Sequence, residues 1–150
     1  MKAEKIFYHL AQLETEKADN ISQRAHREVF AATNCLECAQ CCKGYSPIIL
    51  EEDIERIAQH LNMPEHQFAA NYLMLDEDDE WVFYTQPCPF LANNNHCTIY
   101  EVRPASCADY PHTGRSGLAD IADLTIINAE ICPAVEHILH HIERQLKELV

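Results

Sequence analysis

Basic residues are scarce in this 150-residue chain, which carries 11 lysines and arginines against 24 acidic residues. The formal net charge is −13 at pH 7, and no segment gathers lysines and arginines into a stripe. Nucleic acids and anionic membranes both bind proteins through clustered positive charge. The composition therefore argues against nucleic acid and membrane as partners.

Long apolar runs are missing as well, since no segment approaches the roughly 20 apolar residues of a membrane-spanning helix. Residues 1–10 contain no continuous apolar stretch, so we expect no signal peptide. From these two absences we expect a cytoplasmic protein whose thiols stay reduced. The chain has the length of one domain, and such a domain buries an ordinary core without disulfides.

Cysteine, by contrast, is abundant. Four of the eight cysteines form the run Cys35-Leu-Glu-Cys38-Ala-Gln-Cys41-Cys42, and the others are Cys88, Cys97, Cys107 and Cys132. A C-x2-C-x2-C-C run places several soft thiolates on a short stretch of backbone, which is typical of sites for thiophilic metals or iron–sulfur clusters. Buried thiols or disulfides are the plainer alternatives, but the clustering disfavours the first and the expected reducing compartment disfavours the second. We therefore predict that all eight cysteines are metal ligands.

The spacing leaves the metal open between an iron–sulfur cluster and zinc. Cys35, Cys38 and Cys41 have the spacing of three ligands in bacterial ferredoxins, in which proline follows the remote fourth ligand. Two of the remote cysteines, Cys88 and Cys132, are followed by proline, which favours a 4Fe–4S cluster. Eight thiolates also suffice for two closed tetrahedral zinc sites, and the adjacent cysteines that end the run suit two neighbouring sites.

The apolar pattern predicts a mainly helical α+β domain with irregular loops around a cysteine-ligated metal core. We expect one domain over residues 1–150, with an N-terminal helix in 1–34, a cysteine-rich metal-binding region in 35–132 and a C-terminal helix in 133–150. The aromatic and branched residues 81–85 predict a strand, and residues 97–100 are its expected hairpin partner.

Shorter helices are expected between these segments. One follows Glu51, where carboxylates suit the helix N-terminus, and another has Pro64 in its first turn. A third begins at Arg103-Pro104 and carries Cys107. Pro133 suits the first turn of the last helix, so Cys132 is expected at its N-cap position, where negative charge is stabilised.

The cysteine motifs occur in an order that resembles a known family. They are the C-x2-C-x2-C-C run, Cys88-Pro-Phe-Leu91, Cys97-Thr-Ile-Tyr100 and Arg103-Pro-Ala-Ser-Cys107. Together they resemble the YkgJ-type cysteine-cluster family, whose members are described as zinc- or iron-chelating CxxCxxCC proteins, some of them labelled iron–sulfur oxidoreductases. The resemblance spans roughly residues 35–132 and implies metal chelation without a defined activity. The chain departs from the expected pattern after Cys107, where Ala-Asp-Tyr-Pro stands in place of a basic residue.

Several histidines are weaker candidates for ligands. His137, His140 and His141 have i, i+3 and i+4 spacing, but they lie away from the apolar face of the last helix, so a solvated patch is favoured. His96 and His112 lie near cysteines and could replace a thiolate, although a plain role in a loop is favoured.

Two functional hypotheses follow from the cysteines. The first is a metal-binding protein, with a role in electron transfer, in metal handling or in scaffolding for a protein partner. The second is an enzyme, a thiol or iron–sulfur oxidoreductase with a reactive cysteine or an open metal site. Because the sequence shows no catalytic triad, phosphate-binding loop or paired carboxylates, we assign no catalytic residue.

Overall fold

The computed structural model describes residues 1–44 and 46–150, except for the side chain of Leu36. In chain order the elements are α1 (Ala3–Ala11), α2 (Thr15–Phe30), α3 (Cys35–Cys38), α4 (Gln40–Gly44), α5 (Glu51–His60), α6 (Glu65–Tyr72), β1 (Leu73–Leu75), β2 (Trp81–Phe83), α7 (Ala105–Asp109), α8 (Ala122–Ile131) and α9 (Pro133–Glu148). The predicted mainly helical α+β fold with a small hairpin is confirmed. No helix in the described part of the chain is long and apolar enough to cross a membrane.

The chain falls into two compact units. Unit 1 comprises Met1–Asn34 and Pro111–Val150, and unit 2 comprises Cys35–Tyr110. The first boundary lies directly before the cysteine run, and the second lies shortly after Cys107. The expected organisation as one domain stays a prediction.

Unit 1 is a helical assembly in which α1, α2 and α8 all pack on α9. Apolar side chains of α9 occupy its centre, including the fully buried Val135, Ile138 and Ile142. The sequence predicts one long first helix, but the structure has two, with an interruption over residues 12–14. The interruption allows α1 and α2 to pack on α9 separately, each with its own apolar face.

Helix α8 has no counterpart in the sequence prediction. Its fully buried residues are polar, namely Thr125 and Asn128, while the apolar Leu124 and Ile127 are exposed. An amphipathic stripe is the main sequence signal of a surface helix, and here that signal is absent. Helix α9, in contrast, begins at Pro133 with Cys132 at its N-cap, as predicted.

Unit 2 is built around a second apolar cluster, in which Ile57, Phe68, Phe83 and Ile99 are buried. Helices α5 and α6 pack on each other, and α6 leads directly into the hairpin of β1 and β2. Helix α7 is present where a short helix carrying Cys107 is predicted.

The hairpin partner predicted for the strand near Trp81 is wrong. Strand β2 pairs antiparallel with β1, in the register Leu73 with Phe83, and not with residues 97–100. The reason is the acidic loop over residues 76–80, which is a tight turn: the Asp76 carboxylate accepts the backbone N–H groups of Asp78 and Glu80, both at 2.9 Å. This side-chain bonding closes a local hairpin that excludes the more distant segment.

Candidate metal centre

The cysteine run is divided into two short helices by one residue in a left-handed conformation. Ala39 has φ of 49° and is buried, and it separates α3 from α4. A non-glycine residue in this region costs roughly 1–2 kcal/mol, so the surrounding contacts must hold it there. The backbone N–H of Ala39 donates to the carbonyl of Cys35 at 3.0 Å, and that of Cys42 donates to the carbonyl of Ala39 at 3.1 Å. The cysteines on either side of Ala39 are therefore not on one continuous helix face.

Cys41 and Cys42 lie together on α4, and their side chains form a hydrogen bond. The thiol of Cys41 donates to the sulfur of Cys42, which holds the proton on Cys41 and raises the pKa of its thiol, with burial adding to the effect. The same bond lowers the pKa of Cys42. Within the pair, Cys42 therefore loses its proton more readily than Cys41.

Cys88 and Cys97 lie in turns whose backbone N–H groups face the sulfur atoms. The sulfur of Cys88 accepts N–H bonds from Phe90 and Leu91, and that of Cys97 accepts one from Ile99. Burial raises the pKa of both thiols, and these N–H bonds oppose that rise because they favour the thiolate. Backbone N–H groups directed at sulfur are also a feature of iron–sulfur sites.

A backbone hydrogen bond connects the run to the Cys88 turn. The N–H of Cys88 donates to the carbonyl of Cys42 at 2.8 Å. Because this bond joins the two cysteine residues themselves, it fixes the spacing of segments that are 46 positions apart in the chain. Cys88 and Cys97 also pack against the apolar cluster of unit 2.

Cys107 lies on α7, and a buried carboxylate holds the start of this helix. Asp53 is only 1% exposed and accepts N–H bonds from Leu50 at 2.9 Å and from Ala105 at 3.1 Å. The guanidinium of Arg56 donates to Asp53 at 2.7 Å and to the carbonyl of Arg103 at 2.9 Å. Asp53 therefore caps α5 and α7 together and positions Cys107.

Five cysteines of unit 2 form an interacting set, which we call the thiol group. Its members are Cys41, Cys42, Cys88, Cys97 and Cys107. Burial, and then the neighbouring thiols of the group, raises the pKa of Cys107 to about 12. Several half-buried thiols that oppose each other's ionisation need a nearby cation before they can all be thiolates.

The donors of the thiol group fit a thiophilic metal, because thiolates are the preferred ligands of zinc and of iron–sulfur clusters. No group of three or more His, Cys, Asp or Glu residues in positions 1–44 and 46–150 is spaced to hold a metal ion as the side chains stand. Ligation would therefore draw the sulfur atoms closer together. Such coupling of metal binding to local folding is common, because a site is rarely preformed without its metal.

The other predicted ligands lie in different surroundings. Cys35 is exposed and Cys38 half-buried, both on α3. Cys132 belongs to unit 1, where it packs half-buried against that unit's apolar core. The structure thus brings five of the eight predicted cysteines into one interacting set, and the ligand role of all eight stays a prediction.

Among the histidines, His137 and His140 are exposed, as expected for a solvated patch. His141 is half-buried and forms a hydrogen bond to Glu28 of α2 at 3.1 Å. His96 is exposed in its loop, and His112 is half-buried in unit 1.

Asp53 is the residue near the site that sequence reasoning missed. The carboxylates at the start of α5 were expected to interact with the helix dipole, but nothing in that pattern distinguished Asp53 from Glu51 and Glu52. One signal was present: an acidic residue three positions after the N-cap can accept the N-cap backbone N–H. The second half of its role, the cap on α7, depends on a contact across 52 positions.

Comparison with known families gives one match over most of these residues. A family model named CxxCxxCC, described as "Putative zinc- or iron-chelating domain", matches residues 34–133. The matched range contains all eight cysteines. No curated protein and no solved structure matches the chain.

Proposed function

The chain belongs to the CxxCxxCC family, and from that premise we propose that it is a cytoplasmic protein that binds an iron–sulfur cluster or zinc through its cysteines. Metal binding in general is what the family description supports. The observation that carries the proposal is the thiol group, because half-buried thiols that oppose each other's ionisation are stabilised as thiolates by a bound cation.

Of the two metals, we favour a 4Fe–4S cluster on Cys35, Cys38, Cys41 and Cys88. The first three have ferredoxin-like spacing, and the fourth precedes a proline and interacts electrostatically with Cys41. The three remaining thiols of unit 2 are then available to a second metal such as zinc. The role of Cys132 as a metal ligand stays a prediction from the sequence alone. The cluster would serve electron transfer, metal handling or the scaffolding of a protein partner.

Metal analysis of the anaerobically purified protein tests this proposal. We expect a brown protein with iron and acid-labile sulfide in equal amounts and with broad visible absorption from sulfur-to-iron charge transfer. A colourless protein with stoichiometric zinc would refute the iron–sulfur cluster, but it would still support metal chelation by thiolates. A protein that binds neither metal after anaerobic reconstitution would refute the proposed function as a whole.

A second candidate function, a thiol or iron–sulfur oxidoreductase, is favoured by the adjacent and hydrogen-bonded Cys41 and Cys42. An enzyme of this class keeps one cysteine reactive or one metal position open, whereas a structural site is closed. Alkylation of the metal-loaded protein by iodoacetamide, followed by peptide mass spectrometry, distinguishes the two. Rapid labelling of Cys41 or Cys42 with the metal retained supports the enzyme, and protection of both supports the binding protein.

A further inference from the structure

One face of a small sheet in unit 2 is largely exposed, as far as the described residues go. Strands β1 and β2 form its hairpin, with Met74 paired to Val82. The extended segment before α5 lies along the other edge of β2, since the N–H of Ile49 donates to the carbonyl of Trp81 at 2.8 Å. Segment 46–50 therefore adds a third strand-like edge, although only part of it is hydrogen-bonded.

The two faces of this sheet differ in burial. On the inner face Ile49, Leu73 and Phe83 are buried in the apolar cluster of unit 2. Because neighbouring residues along an extended chain point to opposite faces, the residues between and beside them lie on the outer face. We define this outer apolar face as Ile48, Leu50, Met74, Val82 and Tyr84. Val82 is half-buried. The exposed fractions of the others are 41% for Ile48, 46% for Leu50, 42% for Met74 and 68% for Tyr84.

One end of the outer apolar face is bordered by acidic residues. The N–H of Phe83 donates to the hydroxyl of Ser46 at 2.9 Å, while Ile49 bonds to Trp81, so segment 46–50 runs antiparallel to β2. Glu51 and Glu52 therefore lie toward the end of the hairpin that carries the loop 76–80. Both of these residues are exposed, and so are all members of that loop except the half-buried Asp76.

We infer that the outer apolar face binds a segment of a partner protein that presents aliphatic or aromatic side chains, with lysines or arginines directed at the loop 76–80. A contiguous exposed apolar patch beside a charged border is typical of a protein interaction site. The border selects a basic partner, because like charges across an interface cost free energy. The same argument disfavours a second copy of this acidic chain and anionic lipid.

A model peptide tests the recognition chemistry. The probe is a fluorescein-labelled peptide of alternating leucine and lysine, with an alternating leucine and glutamate peptide as its counterpart, and binding to the intact metal-loaded chain is measured by fluorescence anisotropy. We expect the lysine peptide to bind and the glutamate peptide to bind at least tenfold more weakly. The double variant Met74→Ala/Tyr84→Ala should weaken binding of the lysine peptide about tenfold, as expected for loss of two central apolar contacts.

Tyr8→Ala provides a matched control, because Tyr8 is 63% exposed on α1 of unit 1. It should leave binding unchanged. The double variant Glu77→Gln/Glu80→Gln should weaken binding and reduce its dependence on salt. The altered side chains are exposed, and circular dichroism and metal content check that each variant is folded.

Three outcomes would overturn the inference. The first is equal binding by Met74→Ala/Tyr84→Ala and by Tyr8→Ala, which would mean that net charge alone attracts the peptide. The second is a dimer in analytical ultracentrifugation that Tyr84→Ala converts to monomer, since the face would then serve a second copy of the chain. The third is binding to phosphatidylcholine vesicles that the same substitution abolishes, since the face would then serve a lipid surface.

Discussion

The helices of unit 1 are long, and those around the thiol group in unit 2 are short. Helices α2 and α9 have 16 residues each, whereas α3, α4 and α7 have four or five. Isolated short helices are marginal in water, so they depend on contacts from outside the helix. Unit 1 supplies such contacts with a continuous apolar core, while unit 2 contains seven of the eight cysteines. Unit 2 has an apolar cluster of its own, so we expect only its short helices, and not the whole unit, to depend on the cysteines for their order.

Buried polar groups join distant segments in both units. In unit 1, the buried Thr113 is hydrogen-bonded to His26 of α2, 87 positions away, whereas Ser22 and Thr125 donate to carbonyls four residues earlier. In unit 2, the buried Asp53 joins α5 to the start of α7. A local bond can form with its helix, but a bond between distant segments forms only when the tertiary structure does. The bonds of Thr113 in unit 1 and of Asp53 in unit 2 therefore depend on the fold of the whole unit.

Removal of the metal should produce the largest difference in stability between the two units. Structural zinc contributes on the order of 10 kcal/mol to small domains, so chelation should unfold part of unit 2. Trp81, the only tryptophan, lies in unit 2 and should shift its fluorescence to longer wavelength. Most of the helical circular dichroism should remain, because the long helices belong to unit 1. Equal loss of both signals would show that the units depend equally on the metal.

Replacement of a single predicted ligand should have the next largest effect. Cys38→Ser should lower both metal content and melting temperature, because it removes a thiolate from the middle of the run. His140→Ala is its control, since His140 is exposed on α9, and it should change neither quantity. Full metal content in the Cys38→Ser variant would show that the central part of the run does not bind the metal.

Asp53→Ala should destabilise unit 2 by about 1–3 kcal/mol, because it removes the buried carboxylate that accepts the N–H groups of Leu50 and Ala105. Metal affinity should fall as well, since α7 carries Cys107. Urea denaturation followed by Trp81 fluorescence measures the first effect, and competition with a chelator measures the second. Glu52→Ala, one position earlier and exposed, should leave both unchanged.

One glycine substitution in each unit tests how closely neighbouring atoms pack around that glycine. A Cβ at Gly114 would lie 2.8 Å from Nε2 of His26, whose Nδ1 is hydrogen-bonded to the buried Thr113 at 2.8 Å. Gly114→Ala should therefore destabilise unit 1 by about 1–3 kcal/mol in a thermal or urea melt. Gly44→Ala meets no atom of the described residues within 4 Å and should be neutral or slightly stabilising. A larger loss from Gly44→Ala would reverse this comparison.

The smallest effect concerns acid sensitivity in unit 1. Hydrogen bonds from Lys147 and the amino terminus lower the pKa of Glu143 from 4.5 to about 2. A lowered pKa in the folded state means that the stabilisation is present above pH 4.5 and disappears as the pH falls through about 2. Glu143→Gln should therefore reduce the melting temperature slightly at neutral pH and not at pH 2. Glu136→Gln on the same helix, exposed, should show no such pH dependence.

The sequence by itself determined the parts of this protein whose cause is local. Apolar periodicity and Pro133 determined α9, and the carboxylates after Leu50 marked the start of α5. The cysteine motifs determined the family, because residue type and spacing are properties of the chain. Side-chain periodicity and capping act within a few residues, which is why they can be read before the fold is known.

Only the tertiary structure decided which cysteines interact and which strands pair. The hairpin partner of β2 was mispredicted because a carboxylate-closed turn favoured the nearer segment. Helix α8 was missed because it buries Thr125 and Asn128 rather than an apolar stripe. Cys132 has the same Cys-Pro motif as Cys88, yet the two lie in different units. Contacts between residues far apart in sequence depend on the packing of whole elements, so identical motifs can have different surroundings.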